Sequence, residues 1–107
     1  MAMVHMSATS ALSDSEIIAG EAGQRVRITR ICFSANAGAT LHVYAKASGK
    51  ASTPLLGWLR TAGPLLDLRL GRRYGVTTEP GDSVTVSVEI GGATPAVALT
   101  LWYERVP

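Results

Sequence analysis

The side chains able to do chemistry are few in this 107-residue chain and stand far apart. His5 and His42 have neither a cysteine nor a carboxylate at ligand spacing. A zinc centre needs three or four such ligands, so no metal site is expected. Serines are plentiful, but none stands in a Gly-x-Ser-x-Gly setting, and a serine nucleophile needs a histidine and a carboxylate brought to it. Glu89 and Glu104 could serve as paired carboxylates for glycoside chemistry. Both fall on the polar parity of strand-like runs, where solvated surface charge is the ordinary role. Gly91-Gly92 is too short to cradle a phosphate and reads as a turn. Arg25 with Arg27 and Arg72 with Arg73 form two basic pairs. Nucleic-acid readers add stacking aromatics or a strong basic field; the net charge here is only +2. Neither nucleic acid nor an anionic membrane is therefore an expected partner. No catalytic, cofactor-binding or metal residue is assigned, and an enzyme is not expected.

The elements that carry these residues are strands. In Asp82–Ile90, Val84, Val86, Val88 and Ile90 share one parity while Ser83, Thr85, Ser87 and Glu89 share the other. Such alternation suits a strand with one face on a core and one in water. Val97, Leu99, Leu101 and Tyr103 repeat it after a Gly/Pro-containing connection, and the two runs read as a β-hairpin. Gln24–Ala35 is a long strand with a defect: Val26 and Ile28 are apolar at even positions, Ile31 and Phe33 at odd ones. The switch near Thr29 and Arg30 predicts a β-bulge or a strand that changes sheets. Cys32, the single cysteine, rules out an internal disulfide and reads, within this run, as a small hydrophobe.

Further strands are predicted over 15–19, 40–47, 55–60, 65–70 and 76–78, and Glu79-Pro80-Gly81-Asp82 has the residues of a type II turn. Seven or eight short strands at roughly ten-residue spacing, with no useful helical period, indicate an all-β fold. The expected architecture is a two-sheet antiparallel β-sandwich, jelly-roll-like, over residues 15–107. Its predicted core is Val26, Ile28, Leu41, Val43, Leu66, Leu68, Val84, Val86, Val88, Val97, Leu99 and Leu101.

Residues 1–14 are Met-, Ala- and Ser-rich and show no clear period. They read as an extended N-terminal arm that gains order only against a partner. Met1, Met3, Val4, Met6 and Leu12 are its candidate partner-binding residues, because methionine adapts to irregular grooves. Trp102 is a sixth. With Leu101 inward it faces outward, and a large aromatic on an outer sheet face is a candidate interface anchor.

Composition agrees with hidden apolar surface: 47% of residues are hydrophobic and 17% charged, an apolar balance for so small a domain. A homo-oligomer is expected. No run approaches the ~18 apolar residues of a membrane-spanning helix, and the first residues lack the pattern of a signal peptide. Synthesis in a cytoplasm without membrane insertion is expected.

Three stretches together resemble a known group. They are Gly-Gln-Arg-Val-Arg-Ile-Thr-Arg-Ile-Cys-Phe-Ser-Ala-Asn-Ala-Gly-Ala-Thr-Leu from Gly23, Tyr-Gly-Val-Thr-Thr-Glu-Pro-Gly-Asp-Ser-Val-Thr-Val from Tyr74, and Ala-Leu-Thr-Leu-Trp-Tyr-Glu from Ala98. Over residues 20–105 the chain resembles the small β-sandwich virion proteins of tailed bacteriophages, especially capsid decoration or cement proteins. The shared motifs are structural rather than catalytic, and small tail and fibre domains carry them too. The resemblance implies a structural virion protein on the outer capsid surface, made in the host cytoplasm. Its implied partner is the major capsid protein, whose subunits it would clamp together. The alternative it leaves open is a tail- or fibre-associated receptor-binding β-domain.

Overall fold

The structure, a computed structural model, describes residues 2–9, 11–35, 39–61, 66–71, 73, 75–90 and 97–107, with the side chains of 57–61 and 90 left aside. The described residues form nine strands: β1 (Ala2–Ala8), β2 (Leu12–Ile18), β3 (Arg25–Ala35), β4 (Ala39–Lys46), β5 (Thr53–Thr61), β6 (Leu66–Arg69), β7 (Val76–Thr77), β8 (Ser83–Ile90) and β9 (Val97–Val106). Among the described residues there is no helix.

The strands form two antiparallel sheets packed face to face. One has the order β1-β9-β3-β6, with β7 also on β3; the other has the order β2-β8-β4-β5. Pairing is nested. The first strand lies on the last, the second on the last but one, the third on the sixth and seventh, and the fourth on the fifth. The expected two-sheet sandwich is therefore the observed one.

Alternation places the core. Val26, Ile28, Ile31 and Phe33 of β3 and Val97, Leu99 and Leu101 of β9 meet Leu41 and Val43 of β4 and Val84, Val86 and Val88 of β8, all buried. Burying each such side chain fully is worth roughly 1.5–3 kcal/mol. Leu66 and Leu68 pack against this cluster from the edge strand β6 and are only partly covered. The phase switch in β3 is a bulge: pairing with β9 is continuous except for one extra residue between Ile28 and Arg30. That residue, Thr29, is buried, and its hydroxyl donates to the Trp102 carbonyl at 3.3 Å. Chain reversal before β8 follows the turn chemistry. Gly81 has φ +86°, and Asp82 N–H donates to Glu79 C=O at 3.2 Å. Gly20 lies against this turn, where a Cβ would collide with the Gly81 carbonyl oxygen. Only glycine lets the two backbones approach so closely.

Three expectations are corrected. First, β8 and β9 are not a hairpin. β8 pairs with β2 and β4, and β9 with β1 and β3, so the chain crosses between sheets. Two alternating runs look the same in sequence whether they lie side by side or face each other across a core. The connection at 91–96, with Gly91-Gly92, lies outside the described residues.

Second, residues 2–8 and 12–14 are not an arm outside the sandwich. β1 and β2 are edge strands of the two sheets, and β2 begins at Leu12 rather than at Ser15. Val4, Met6 and Ala8 share the parity that packs against the core. Met and Ala are weak strand formers, so this short period-two signal was masked, and pairing with β9 overrides propensity. Third, Cys32, read as a small hydrophobe, does not point into the core. With Ile31 and Phe33 inward it must face out, and it is half-buried.

Candidate functional site: the outer face of the five-stranded sheet

The bulge in β3 decides what this face presents. Before it, Arg25 and Arg27 point outward; after it the parity inverts, and Arg30, Cys32 and Ser34 take the outer positions. β9 presents Thr100, Trp102 and Glu104 on the same side. Register brings Arg27 opposite Glu104 and Arg30 opposite Trp102, while on the other flank Met3 of β1 lies opposite Trp102 and His5 opposite Thr100. A row Met3–Trp102–Arg30 thus crosses three strands.

Two of its members, Trp102 and Arg30, are held. The Arg30 guanidinium carbon lies 4.4 Å from the Trp102 ring centroid, within cation–π range. Its Nε and Nη2 each donate to one oxygen of Asp67 at 3.0 Å, a bidentate fork that fixes the guanidinium plane. Asp67 also accepts from Arg69 Nε and from Cys32 Sγ, both at 3.4 Å. The Arg30 hydrogen bonds hold the Asp67 carboxyl down at about 2. Burial and the hydrogen bond to Asp67 push the Cys32 thiol up, which keeps it protonated. Arg27 donates to Glu104 at 2.8 Å, and His5 Nδ1 and the Thr100 hydroxyl share a hydrogen bond of 2.8 Å. Met3, at 60% exposure, is the most open large apolar side chain described.

The expected partner-binding residues therefore divide. Met3 and Trp102 stand together on the outer face. Val4, Met6 and Leu12 pack against the core cluster instead. Met1 lies outside the described residues. The chemistry-bearing pairs are kept apart: Glu89 and His42 belong to the four-stranded sheet, Glu104 and His5 to the five-stranded one. His42 Nδ1 and Tyr44 Oη share a 2.7 Å hydrogen bond on β4. Among the described residues no group of three or more His, Cys, Asp or Glu is placed to hold a metal ion.

A second polar centre, unforeseen in the sequence, lies on the opposite face of the molecule. Asp14 sits at a bulge of β2 with φ +49°. Its carboxylate accepts from the Thr85 hydroxyl at 2.5 Å, the Ser52 hydroxyl at 3.0 Å and Lys46 Nζ at 3.3 Å, and its N–H donates to Ser87 Oγ at 2.8 Å. These bonds, that of Thr85 foremost, hold its carboxyl below the usual carboxylate range. It borders an open cleft of about 320 Å³ with Glu16, Lys46, Ser83 and Thr85.

Comparison of the chain with protein-family models, with curated proteins and with solved structures finds no match.

Proposed function

We propose that this protein is a structural component of a phage virion that binds the outer capsid surface and stabilises contacts between major capsid subunits. The observation that carries the reading is the Met3–Trp102–Arg30 row. An aromatic and an arginine are the side chains that most often dominate protein interfaces, and here both are held in place before a partner arrives. A partner then incurs little ordering cost at these groups. The row lies on a two-sheet scaffold, so it presents a rigid surface. The nested strand pairing supports a jelly-roll reading of that scaffold, and the motifs shared with capsid decoration proteins supply the choice of partner.

The test is co-sedimentation with capsids that lack this protein. Trp102→Ala is expected to weaken retention by about thirty-fold, the factor that corresponds to a 2 kcal/mol hot spot, with a melting temperature within a few degrees of the parent. Equal retention of parent and variant would refute the reading. Absence of any parental binding to capsids, together with binding to host cells, would replace it with the receptor-binding alternative.

A further inference from the structure

A β-sheet edge is a row of unsatisfied backbone donors and acceptors, and soluble proteins blunt it with charge, proline, bulges or shortness. Three of the terminal positions in the two sheets are blunted. β2 carries Asp14 and Glu16 and has two register shifts against β8. β5 contains Pro54 and two register shifts against β4. β6 and β7, which share the far side of β3, have four and two residues.

β1 has none of these devices. Its seven residues, Ala-Met-Val-His-Met-Ser-Ala, contain no proline, lysine, arginine or carboxylate, and pair with β9 from Ala2 to Ala8 in one unbroken register. In an antiparallel strand alternate residues turn their N–H and C=O groups to opposite sides. Half of those of β1 therefore point away from β9. The core-facing Val4, Met6 and Ala8 are also only partly buried, whereas Val97, Leu99 and Leu101 beside them on β9 are fully covered.

We infer that β1 is a homodimer seam, at which β1 of a second copy pairs antiparallel about a two-fold axis through His5. The strand is complementary to itself in this register. Ala2 meets Ala8 of the second copy, Met3 meets Ser7, Val4 meets Met6 and His5 meets His5. Every pair joins residues of like parity, so the apolar side chains of both copies stay on the core side and Met3, His5 and Ser7 stay outside. A two-fold axis placed between residues would oppose core-facing to outward-facing positions and expose Val4 and Met6. The absence of carboxylates and of lysine or arginine means that self-pairing opposes no permanent like charges. It makes one continuous sheet of two copies, with both Met3–Trp102–Arg30 rows on the same side. An isologous contact of this kind is closed and does not propagate into fibres. A seam one strand long falls at the low end of protein interfaces, below about 1,200 Å², so the dimer depends on concentration. The inference stands on the edge geometry and does not require the capsid reading.

Sedimentation equilibrium of the full chain, from about 1 to 200 μM, reads the association. The parent is expected to shift from monomer to dimer across this range. Val4→Lys, an inward charge at a partly buried edge position, is expected to weaken dimerisation at least ten-fold while the chain stays folded at low concentration. Should that variant fail to fold, register is read separately by oxidative cross-linking in a Cys32→Ser background. His5→Cys should give a covalent dimer, and Ser7→Cys, four residues from its own copy across the axis, should give far less. A monomer at all concentrations, a dimer indifferent to Val4→Lys with the fold intact, or equal cross-linking at the two positions would overturn the seam. A monomer that still binds capsids would leave the proposed function standing; a dimer that does not would leave only the seam.

Discussion

The outer faces of the two sheets use the same kinds of side chain in opposite ways. On the four-stranded sheet, Thr85, Ser52 and Lys46 all turn toward one carboxylate, that of Asp14, and the two hydroxyl donors are spent inside the cluster. On the five-stranded sheet one carboxylate, Asp67, is again the hub, but it braces groups that remain available at the surface. The Arg30 guanidinium carbon lies over the Trp102 ring, with Met3 across the strand. The first arrangement ties the second strand to the sheet; the second arrangement presents a prepared surface. Hydrogen-bond density alone does not separate the two. What separates them is whether the bonded groups end in the cluster or hold something beyond it.

Both faces depend on one core, and the largest expected effect tests that dependence. Val86 is fully buried in β8, flanked by Ser15 on one side and Val43 on the other. Val86→Asp places an unpaired charge there, a change that exceeds about 4 kcal/mol in other cores. The variant is expected to be unfolded at 25 °C by circular dichroism. Because β8 carries Thr85 on its outer side, a folded variant would show that the Asp14 cluster can hold its sheet without the shared core.

A smaller effect separates the faces. Asp14→Ala leaves the hydroxyls of Thr85 and Ser52 and the Lys46 ammonium without their acceptor, and puts alanine at φ +49°. A loss of about 1–3 kcal/mol is expected in urea unfolding. Asp14→Asn, which tolerates the left-handed conformation better, should lose about 1 kcal/mol less. The pH dependence has a definite sign. The folded-state pKa of Asp14 lies below its ordinary value of 3.8. The stabilisation is then fully present above that ordinary value and disappears as pH falls through the folded one. Parent and Asp14→Ala should converge in stability as the solution is acidified below pH 3.8, while binding through the opposite face at neutral pH should be unaffected.

The faces also differ in how far the sequence announces them. The core, the bulge at Thr29 and the outward turn of Trp102 follow from parity alone, because alternation records which way a side chain points. Parity does not record which strand lies alongside. That is why β8 and β9 looked like a hairpin, and why Arg30 and Asp67 could not be placed beside Trp102, although the phase switch already put Arg30 outward. The Asp14 cluster was further out of reach. It depends on a left-handed residue at a bulge and on donors from β4, β8 and the segment before β5, none of which has a local signature. In β1 the signal was present in Val4, Met6 and Ala8 but was too weak to compete with a Met-, Ala- and Ser-rich composition.

The smallest expected effect probes the bracing of the presented face. Cys32 is half-buried, and its thiol is pushed up by burial first and then by its hydrogen bond to Asp67. At pH 7.5 the thiolate fraction is therefore below that of a free cysteine, and labelling by a maleimide should be slower in the folded chain than in the urea-unfolded one. Asp67→Asn removes the negative charge beside the thiol and leaves Arg30, which lowers the thiol pKa, without its counter-charge. Labelling should then quicken by a few-fold. The Arg30 fork is lost in the same step, so the Trp102 fluorescence should change with it. The described partners of Asp14 include neither Cys32 nor Trp102, so Asp14→Asn should leave both the labelling rate and the Trp102 signal as they are. If Asp67→Asn changes neither, Asp67 does not brace this face, and the distinction drawn between the two carboxylate hubs fails.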